Sequence, residues 1–199
     1  MKNGTKLMFA AGLLCGTAIP AMAQEADQKA AAQACQRLQI IVNDYEDRFR
    51  AEWIDRANGV IDCVVKDEEE GAALAKKLMG YFQGEITDWT CEDQRWLRRA
   101  VPENRLHAYD MRHLINVFAD TDSVVELRPD FAPGMITAFV RVEGRPLGLI
   151  ANDPKVLGGA IDAAGADKAS RFMQLCDAFG VPMVSFCDTP GFMVGPEEE

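Results

Sequence analysis

Residues 158–195 decide the fold and read GGAIDAAGADKASRFMQLCDAFGVPMVSFCDTPGFMVG. Apolar residues recur at three- and four-residue steps between positions 166 and 179, which predicts an amphipathic helix. The apolar stripe consists of Ala169, Phe172, Met173, Cys176 and Phe179. Gly180 and Pro182 come directly after it, and a glycine followed by a proline is typical of a helix C-terminus.

After the helix, residues 181–187 form a short and almost entirely apolar run. Such a run is typical of a strand that is covered on both faces, as in α/β proteins. Residues 188–192, Asp-Thr-Pro-Gly-Phe, must then turn sharply and expose backbone N–H groups. Ligands of open α/β sheets bind at the carboxyl ends of the strands, and turn amides can hold a negative charge. The turn is therefore a candidate site, and an ordinary strand-to-loop corner is the alternative interpretation.

The rest of the chain predicts an α/β fold in which a β-β-α-β unit ends at this turn. Glu143-Gly144 is expected to be the turn of a hairpin that precedes the helix. Residues 25–57 carry apolar and aromatic side chains at helical spacing, which predicts one or two amphipathic helices. The other expected elements are strands at 60–65, 123–127, 135–142 and 146–151, and helices at 67–82, 94–100 and 109–119.

The N-terminus has the features of a secretory signal peptide. Lys2 and Lys6 precede an apolar run at 7–19, and Ala21-Met22-Ala23 provides an A-x-A cleavage site. The apolar run is too short to span a membrane comfortably, so no stable membrane span is expected after cleavage. These features predict an exported, periplasmic protein, and a chance apolar N-terminus is the alternative.

Composition excludes several classes of function. An apolar fraction of 48% is enough for a core, while a formal net charge of −10 argues against a nucleic-acid or anionic-membrane binder. The six cysteines show no CxxC or Cys/His spacing, so no metal is expected. Five cysteines remain if the signal peptide is removed, and an odd number suits a reducing compartment. This inference conflicts with the predicted export.

Few polar residues stand out as catalysts. His107 and His113 lack an adjacent nucleophile pattern and are interpreted as structural or surface residues. Asp120 and Asp122 lie before a strand and are expected to be solvated. Asp162 and Asp188 are interpreted as residues that stabilise loops.

The chain also carries short motifs of distinctive wording. They are NGVID (58–62), YFQG (81–84), VPEN (101–104), YDMR (109–112), SVVELR (123–128), GRPLGLIAN (144–152), GGAID (158–162), DKASRFMQLCDAFGVP (167–182) and DTPGFMVG (188–195). In this order they resemble the carboxyltransferase β subunits of biotin-dependent acyl-CoA carboxylases that carboxylate acetyl- or propionyl-CoA. The first two motifs match more weakly than the others.

The resemblance implies a partial crotonase or ClpP-like fold, a spiral of ββα units, preceded here by the signal-like segment and the amphipathic helix. In the family, carboxybiotin donates its carboxyl group to the α-carbon of an acyl-CoA, and backbone N–H groups stabilise the anions without a metal in the site. Glycine-lined turns suit this chemistry because a side chain would block the approach of amide to oxyanion. The implied site residues are Gly191 and Phe192 as oxyanion donors, and Asn152, Gly158, Gly159 and Ala160 around the biotin or acyl-CoA cleft.

The chain also departs from the family pattern. Residues 1–23 and 24–57, the signal peptide and a helical segment without a family match, replace the first half. Residues 58–100 match weakly, and residues 101–199 resemble the C-terminal-type domain without its later glycine-rich turn, which supplies the partner oxyanion donors. A truncated carboxyltransferase, inactive alone, with an uncovered strand at 181–187, is therefore expected.

The implied partners are acyl-CoA, the biotin carboxyl carrier and biotin carboxylase components, and further copies of the chain. Two alternatives stay open: an exported, non-enzymatic chimera or decayed reading frame, and an acyl-CoA decarboxylase component. The family is cytoplasmic, which conflicts with the signal peptide, and the signal peptide is given precedence for targeting.

Overall fold

The computed structural model describes residues 56–104 and 107–196, together with the backbone of a strand, β1 (Ile40–Val42). The predicted signal peptide at 1–23 and most of the helical segment at 24–57 lie outside the described residues. Within that segment the prediction of one or two helices is wrong at β1, which pairs in parallel with β2 (Cys63–Val65). Three consecutive β-branched residues, Ile-Ile-Val, favour a strand over a helix.

A four-stranded mixed sheet lies at the centre of the described structure. Its strands, in spatial order, are β3 (Val125–Leu127), β4 (Met135–Val142), β5 (Arg145–Asn152) and β6 (Met183–Phe186). The first three are antiparallel neighbours, whereas β6 runs parallel to β5. The predicted hairpin turns at Glu143 and Gly144, whose φ angles are 52° and 77°. Two successive positive φ angles give the turn the twist that a two-residue hairpin requires.

Within residues 63–196, the α-helices around the sheet lie close to the positions that the sequence predicts. They are α1 (Glu68–Gly80), α2 (Leu97–Ala100), α3 (Met111–Phe118) and α4 (Ala163–Ala178). A 3₁₀ turn at Gln94–Trp96 leads into α2. The three longer helices each begin after an aspartate whose carboxylate accepts a hydrogen bond from an N–H of the first turn. The caps are Asp67, Asp110 and Asp162.

The helices cover both faces of the sheet. On one face, Phe172 and Cys176 of α4 belong to a cluster with Phe139 of β4, and the Phe139 and Phe172 rings lie 5.2 Å apart. Gly148 of β5 allows this close approach, because a Cβ there would lie 2.5 Å from the Cys176 Sγ. On the other face, α3 buries Met111 and Ile115 in a second cluster. The prediction of a β-β-α-β unit is confirmed.

Helix α4 and strand β6 differ in detail from the sequence-based prediction. The helix begins at Ala163 rather than 166, because Asp162 caps the Gly165 N–H. Met173, which was predicted to be in the apolar stripe, is exposed, and Leu175 is buried instead. The prediction that β6 is covered on both faces is wrong: its four residues are exposed or half-buried. β6 is one of the two outer strands of the sheet, and no described strand pairs with its free edge. The other expectation, of an uncovered strand at 181–187, agrees better with the exposure of β6.

At the hairpin end of the sheet, Asp120 is buried and not solvated as predicted. Its carboxylate accepts hydrogen bonds from the N–H groups of Glu143 and Gly144, at 3.0 and 2.7 Å. The Arg141 guanidinium donates to the carbonyls of Gly80, Gly84 and Gly144. Because these groups are spread over α1, a loop and the hairpin, one side chain ties three segments together.

Strand β2 is shorter than the expected strand at 60–65, because Asp62 forms hydrogen bonds with Arg128. The Arg128 N–H donates to the Asp62 carbonyl at 2.7 Å, and its Nε donates to the Asp62 carboxylate at 2.8 Å. Both side chains are buried. Within 56–104 and 107–196, no helix is long and apolar enough to cross a membrane.

Candidate active site

The candidate site lies at the carboxyl ends of β5 and β6. The loop after β5 contains a 3₁₀ turn at Leu157–Gly159, and the turn after β6 spans residues 188–192. A backbone bridge joins the two: the Ile161 N–H donates to the Gly191 carbonyl at 3.0 Å, and the Met193 N–H donates to the Ile161 carbonyl at 2.8 Å. The structure therefore brings together the two segments that the sequence analysis selected.

Gly159 makes the contact between loop and turn possible. A Cβ at this position would lie 2.3 Å from the Asp188 carbonyl oxygen, and the Gly159 φ is +85°. Gly158 also has a positive φ, +62°, but has open space around it. Ala160 is extended and half-buried. The loop and the turn thus meet backbone to backbone, and only glycine fits at position 159.

The two predicted oxyanion donors have different surroundings. The Gly191 N–H donates to the Thr189 hydroxyl at 3.1 Å, within the turn itself. Phe192 lies opposite Ile161 in the parallel bridge, but the two hydrogen bonds of the bridge are made by its neighbours, Gly191 and Met193. The Phe192 N–H therefore faces away from Ile161. The Phe192 side chain is 72% exposed. The more available donor is therefore the Phe192 amide.

Asn152 lies at the last position of β5, opposite Met135 of β4. Its side chain shares the sheet face with α4, since an added Cβ at Gly165 of that helix would touch Met135. It is only 5% exposed, and its Nδ2 has no hydrogen-bond partner among the described residues. A buried donor without a partner costs free energy, so the position is suited to an acceptor from a ligand.

Asp162 and Asp188 stabilise loops, as expected from the sequence. Asp162 caps α4 through the Gly165 N–H at 2.7 Å. Asp188 accepts a hydrogen bond from the Tyr109 hydroxyl at 2.8 Å. Burial, and then this hydrogen bond, raise the pKa of Tyr109 to about 12.

Sequence reasoning missed a polar network beside the site. Arg112 donates to the Glu126 carboxylate at 2.8 and 2.9 Å and to the buried Asp153 at 2.7 Å. The hydrogen bonds that Arg112 donates to Glu126 raise the pKa of the Arg112 guanidinium. Lys155 pairs with Asp110 at 2.7 Å and lowers the pKa of that carboxyl. The available sequence signal was the YDMR motif at 109–112, which had served only as a marker of the family resemblance.

Other groups do not point to catalysis. His107 and His113 are exposed, in agreement with their interpretation as surface residues. The described part of the chain contains no group of three or more His, Cys, Asp or Glu residues that could hold a metal. A cavity of about 470 Å³ lies at the opposite, hairpin end of the sheet. Its lining includes Lys77, Tyr81, Asp88, Trp89 and Arg141.

The sheet, its crossing helix and the glycine-lined turn define an α/β protein whose candidate site presents backbone amides. The carboxyl transferase domain family matches residues 41–199, and the chain belongs to that family. The match begins before residue 58, where the resemblance noted in the sequence begins.

Three known proteins illustrate the similarity. The propionyl-CoA carboxylase beta chain of Roseobacter denitrificans is 43% identical over 72% of this chain and 30% of its own length. The methylmalonyl-CoA decarboxylase subunit alpha of Veillonella parvula is 35% identical over 71% of this chain and 30% of its own. A transcarboxylase 12S crystal structure, described as a hexamer with methylmalonyl-coenzyme A bound, has a TM-score of 0.70 at 27% identity, over 84% of this chain and 38% of that one. The chain thus spans about 30% of the length of the curated relatives it matches.

Proposed function

We propose that this chain is part of a carboxyltransferase that moves a carboxyl group from carboxybiotin to the α-carbon of an acyl-CoA of the acetyl- or propionyl-CoA class. The observation that carries the proposal is the turn at 188–192, whose amides lie at the carboxyl end of β6 against a glycine loop. Membership of the carboxyl transferase family supports the reaction, and the Roseobacter relative supports the class of acyl-CoA.

The proposed task of the turn is to stabilise negative charge. The α-carbon would lose a proton to the biotin ureido group as that group gives up its carboxyl group. This places charge on the thioester oxygen, and a fixed backbone N–H stabilises that charge without having to reorganise. The Phe192 N–H is the first donor in this scheme. The Gly191 N–H becomes the second when the oxyanion takes the place of the Thr189 hydroxyl, 3.1 Å away. A biotin carboxyl carrier component would deliver the carboxybiotin, which supplies the carboxyl group.

The loop after β5 is proposed to form the adjoining wall of the cleft. Gly158, Gly159 and Ala160 present backbone beside the turn, so a flat acyl or ureido group could lie close to the main chain. Asn152 would offer its unpaired Nδ2 to a ligand carbonyl. This assignment requires no metal.

A transfer assay tests the proposal. Purified chain, with and without a complementing C-terminal fragment of a propionyl-CoA carboxylase beta chain, is incubated with carboxyl-labelled methylmalonyl-CoA and a soluble biotin analogue. We expect label on the biotin analogue in the complemented sample. Gly191→Val should lower the rate at least about a hundredfold, the effect of losing one oxyanion donor.

Gly84→Val is the matched control for that substitution. Gly84 also has a positive φ, +92°, and open space around it, but it lies beside the hairpin end of the sheet. Gly84→Val should therefore strain the backbone to a similar extent and leave the rate of carboxyl transfer unchanged. No transfer in any complemented sample would refute the carboxyltransferase proposal, and equal rates for Gly191→Val and wild type would refute the role of the turn.

A decarboxylase component is the second candidate, and the relative from Veillonella favours it. In this case methylmalonyl-CoA would give propionyl-CoA and CO₂ without label on the biotin analogue. Because transfer to the biotin analogue also leaves propionyl-CoA, the fate of the label separates the two activities: the labelled product is the biotin analogue in transfer and CO₂ in decarboxylation. Absence of both products would favour the non-enzymatic chimera.

We also propose that the chain is exported, on the basis of the signal-like residues 1–23. Cell fractionation and the mass of the mature chain test this. A periplasmic product beginning at Gln24 is expected, whereas a cytoplasmic product retaining Met1 would contradict export.

A further inference from the structure

We infer that Tyr109 is a positioning residue for the candidate site, because its hydroxyl holds the turn at 188–192 through the Asp188 carboxylate. The two residues are 79 positions apart, and their side chains meet at 2.8 Å. The inference rests on the proposed function, since it assigns Tyr109 to the same turn. Tyr109 belongs to the YDMR motif, which the proposed reaction leaves without a role.

The turn is fixed at both of its ends. At the far end, the bridge to Ile161 fixes the Gly191 carbonyl and the Met193 N–H. At the near end, the Tyr109 hydroxyl fixes the side chain of Asp188, whose carbonyl lies against Gly159. The Gly191 N–H lies between these two anchors, and the Phe192 N–H shares a planar peptide bond with the Gly191 carbonyl of the far anchor. If the near anchor is lost, the bridge alone holds the turn, so the Gly191 N–H can change direction and the bridge, together with the Phe192 N–H, opens more often.

Tyr109 is itself held in place by the residues that follow it. Asp110 caps α3 by accepting from the His113 N–H at 3.1 Å and also binds Lys155 at 2.7 Å. Met111 is buried in the core on the α3 face of the sheet. A tyrosine that precedes such a segment has little freedom to follow a moving turn, so it acts as a fixed point.

Arg112 completes the segment. Its guanidinium joins Asp153, which follows β5, to Glu126 of β3. The polar residues of the YDMR motif therefore tie together the segments around the candidate site: Tyr109 holds the turn after β6, Asp110 holds the loop after β5, and Arg112 joins the start of that loop to β3.

Hydrogen exchange on the full-length chain tests the inference without any activity. The N–H groups of Ile161 and Met193 report on the turn, because each donates to a carbonyl across the bridge. We expect Tyr109→Phe to speed their exchange about five- to tenfold, the effect of one lost hydrogen bond. Tyr81→Phe is the matched control, since the Tyr81 hydroxyl donates to the Ser123 carbonyl near the hairpin end. It should leave both exchange rates unchanged.

A second variant keeps the test independent of folding. Asp188 is exposed, so Asp188→Ala should fold and should speed exchange at the same two amides. The double variant Tyr109→Phe with Asp188→Ala should be no faster than either single variant, because all three lack the same hydrogen bond. Additive effects in the double variant would contradict the inference.

The kinetics of the complemented enzyme give a readout that general destabilisation would not produce. Tyr109→Phe should lower kcat about five- to tenfold and leave KM for the acyl-CoA unchanged, because it misplaces donors that act in the transition state. Unchanged exchange at Ile161 and Met193, or an equal change in Tyr81→Phe, would overturn the inference whatever the activity. Faster exchange in a chain that transfers no carboxyl group would uphold the tie between Tyr109 and Asp188 and refute only the proposed function.

Discussion

The carbonyl oxygen of Asp188 occupies the space in which a side chain at Gly159 would begin, 2.3 Å from the position of its Cβ. This approach joins the loop after β5 to the turn after β6, and it depends on the absence of a single methyl group. Because the partner atom belongs to the backbone, it cannot yield by rotating a side chain.

Gly159→Ala should therefore separate the loop from the turn. We expect the free energy of unfolding to fall by about 3 kcal/mol, the sum of a strained φ and a backbone clash. Gly158→Ala shares the positive φ but meets nothing within 4 Å, so it should cost only about 1 kcal/mol. Urea unfolding measures both. Equal losses for the two variants would show that the close approach is unimportant.

A second prediction concerns the buried ion pair between Asp62 and Arg128. Burial lowers the pKa of the Arg128 guanidinium, and the Asp62 carboxylate opposes that change. Asp62→Ala would leave a buried cation unpaired and should cost about 3 kcal/mol of unfolding free energy. Glu85→Ala is the control, because its pair with Arg145 is mostly exposed and should contribute less than about 1 kcal/mol. A smaller loss for Asp62→Ala than for Glu85→Ala would contradict the prediction.

The cysteines should differ in reactivity. Burial raises the pKa of the Cys63 and Cys176 thiols to about 12 in each case. Cys91 and Cys187 are exposed. Iodoacetamide at pH 8.5 should therefore modify the exposed pair at least about tenfold faster, since the thiolate is the reactive form. Peptide mapping gives the rates, and all four should react alike in urea. Rapid labelling of Cys176 in the native protein would show that α4 opens easily.

A fourth prediction follows from Lys168, which is 1% exposed and donates to the Phe131 carbonyl at 2.8 Å. Burial lowers its pKa from the usual 10.5 to about 8. Between these two values the folded chain has lost the proton and the unfolded chain still binds it. The free energy of unfolding should therefore rise with pH across this window, by at most about 1.4 kcal/mol per pH unit. Below pH 8 both states are protonated and the contribution is flat.

Comparison with Lys168→Met isolates this effect. The raised pKa of Tyr109 and of the buried thiols lowers stability at high pH in both proteins, so it cancels in the difference. The difference between wild type and variant, measured by urea unfolding from pH 7 to pH 10, should grow in favour of the wild type above pH 8. A difference that does not vary with pH would show that Lys168 keeps an ordinary pKa.

Sequence patterns predicted the elements of this fold well where the signal is local. The hairpin turn at Glu143-Gly144 and most of the apolar stripe of α4 follow from neighbouring residues, and both were predicted. β6 was only partly predictable, because an apolar run indicates a strand but does not say whether another strand lies beside it. Leu175 replaced Met173 in the core because the exact rotation of α4 depends on its contact with Gly148.

The location of the candidate site was predicted in part, and the roles of its residues stay predictions. Gly159 and Gly191 were selected from the wording of their motifs, and the structure brings their segments together. The tie from Tyr109 to Asp188 was missed, since contacts between residues so distant in sequence leave no periodic signal. Asp120 was misjudged for the same reason: a carboxylate before a strand looks solvated until the hairpin folds over it.

The parallel pairing of β6 with β5 has a consequence for the order in which the chain assembles. A hairpin closes through a two-residue turn, whereas β6 can dock only after α4 has crossed the sheet. We expect β6 to join late and to detach early, in an opening that leaves the hairpin intact. A molecule that binds the turn would then also stabilise β6 in the sheet. Ligand binding at the turn and the docking of β6 are therefore thermodynamically linked.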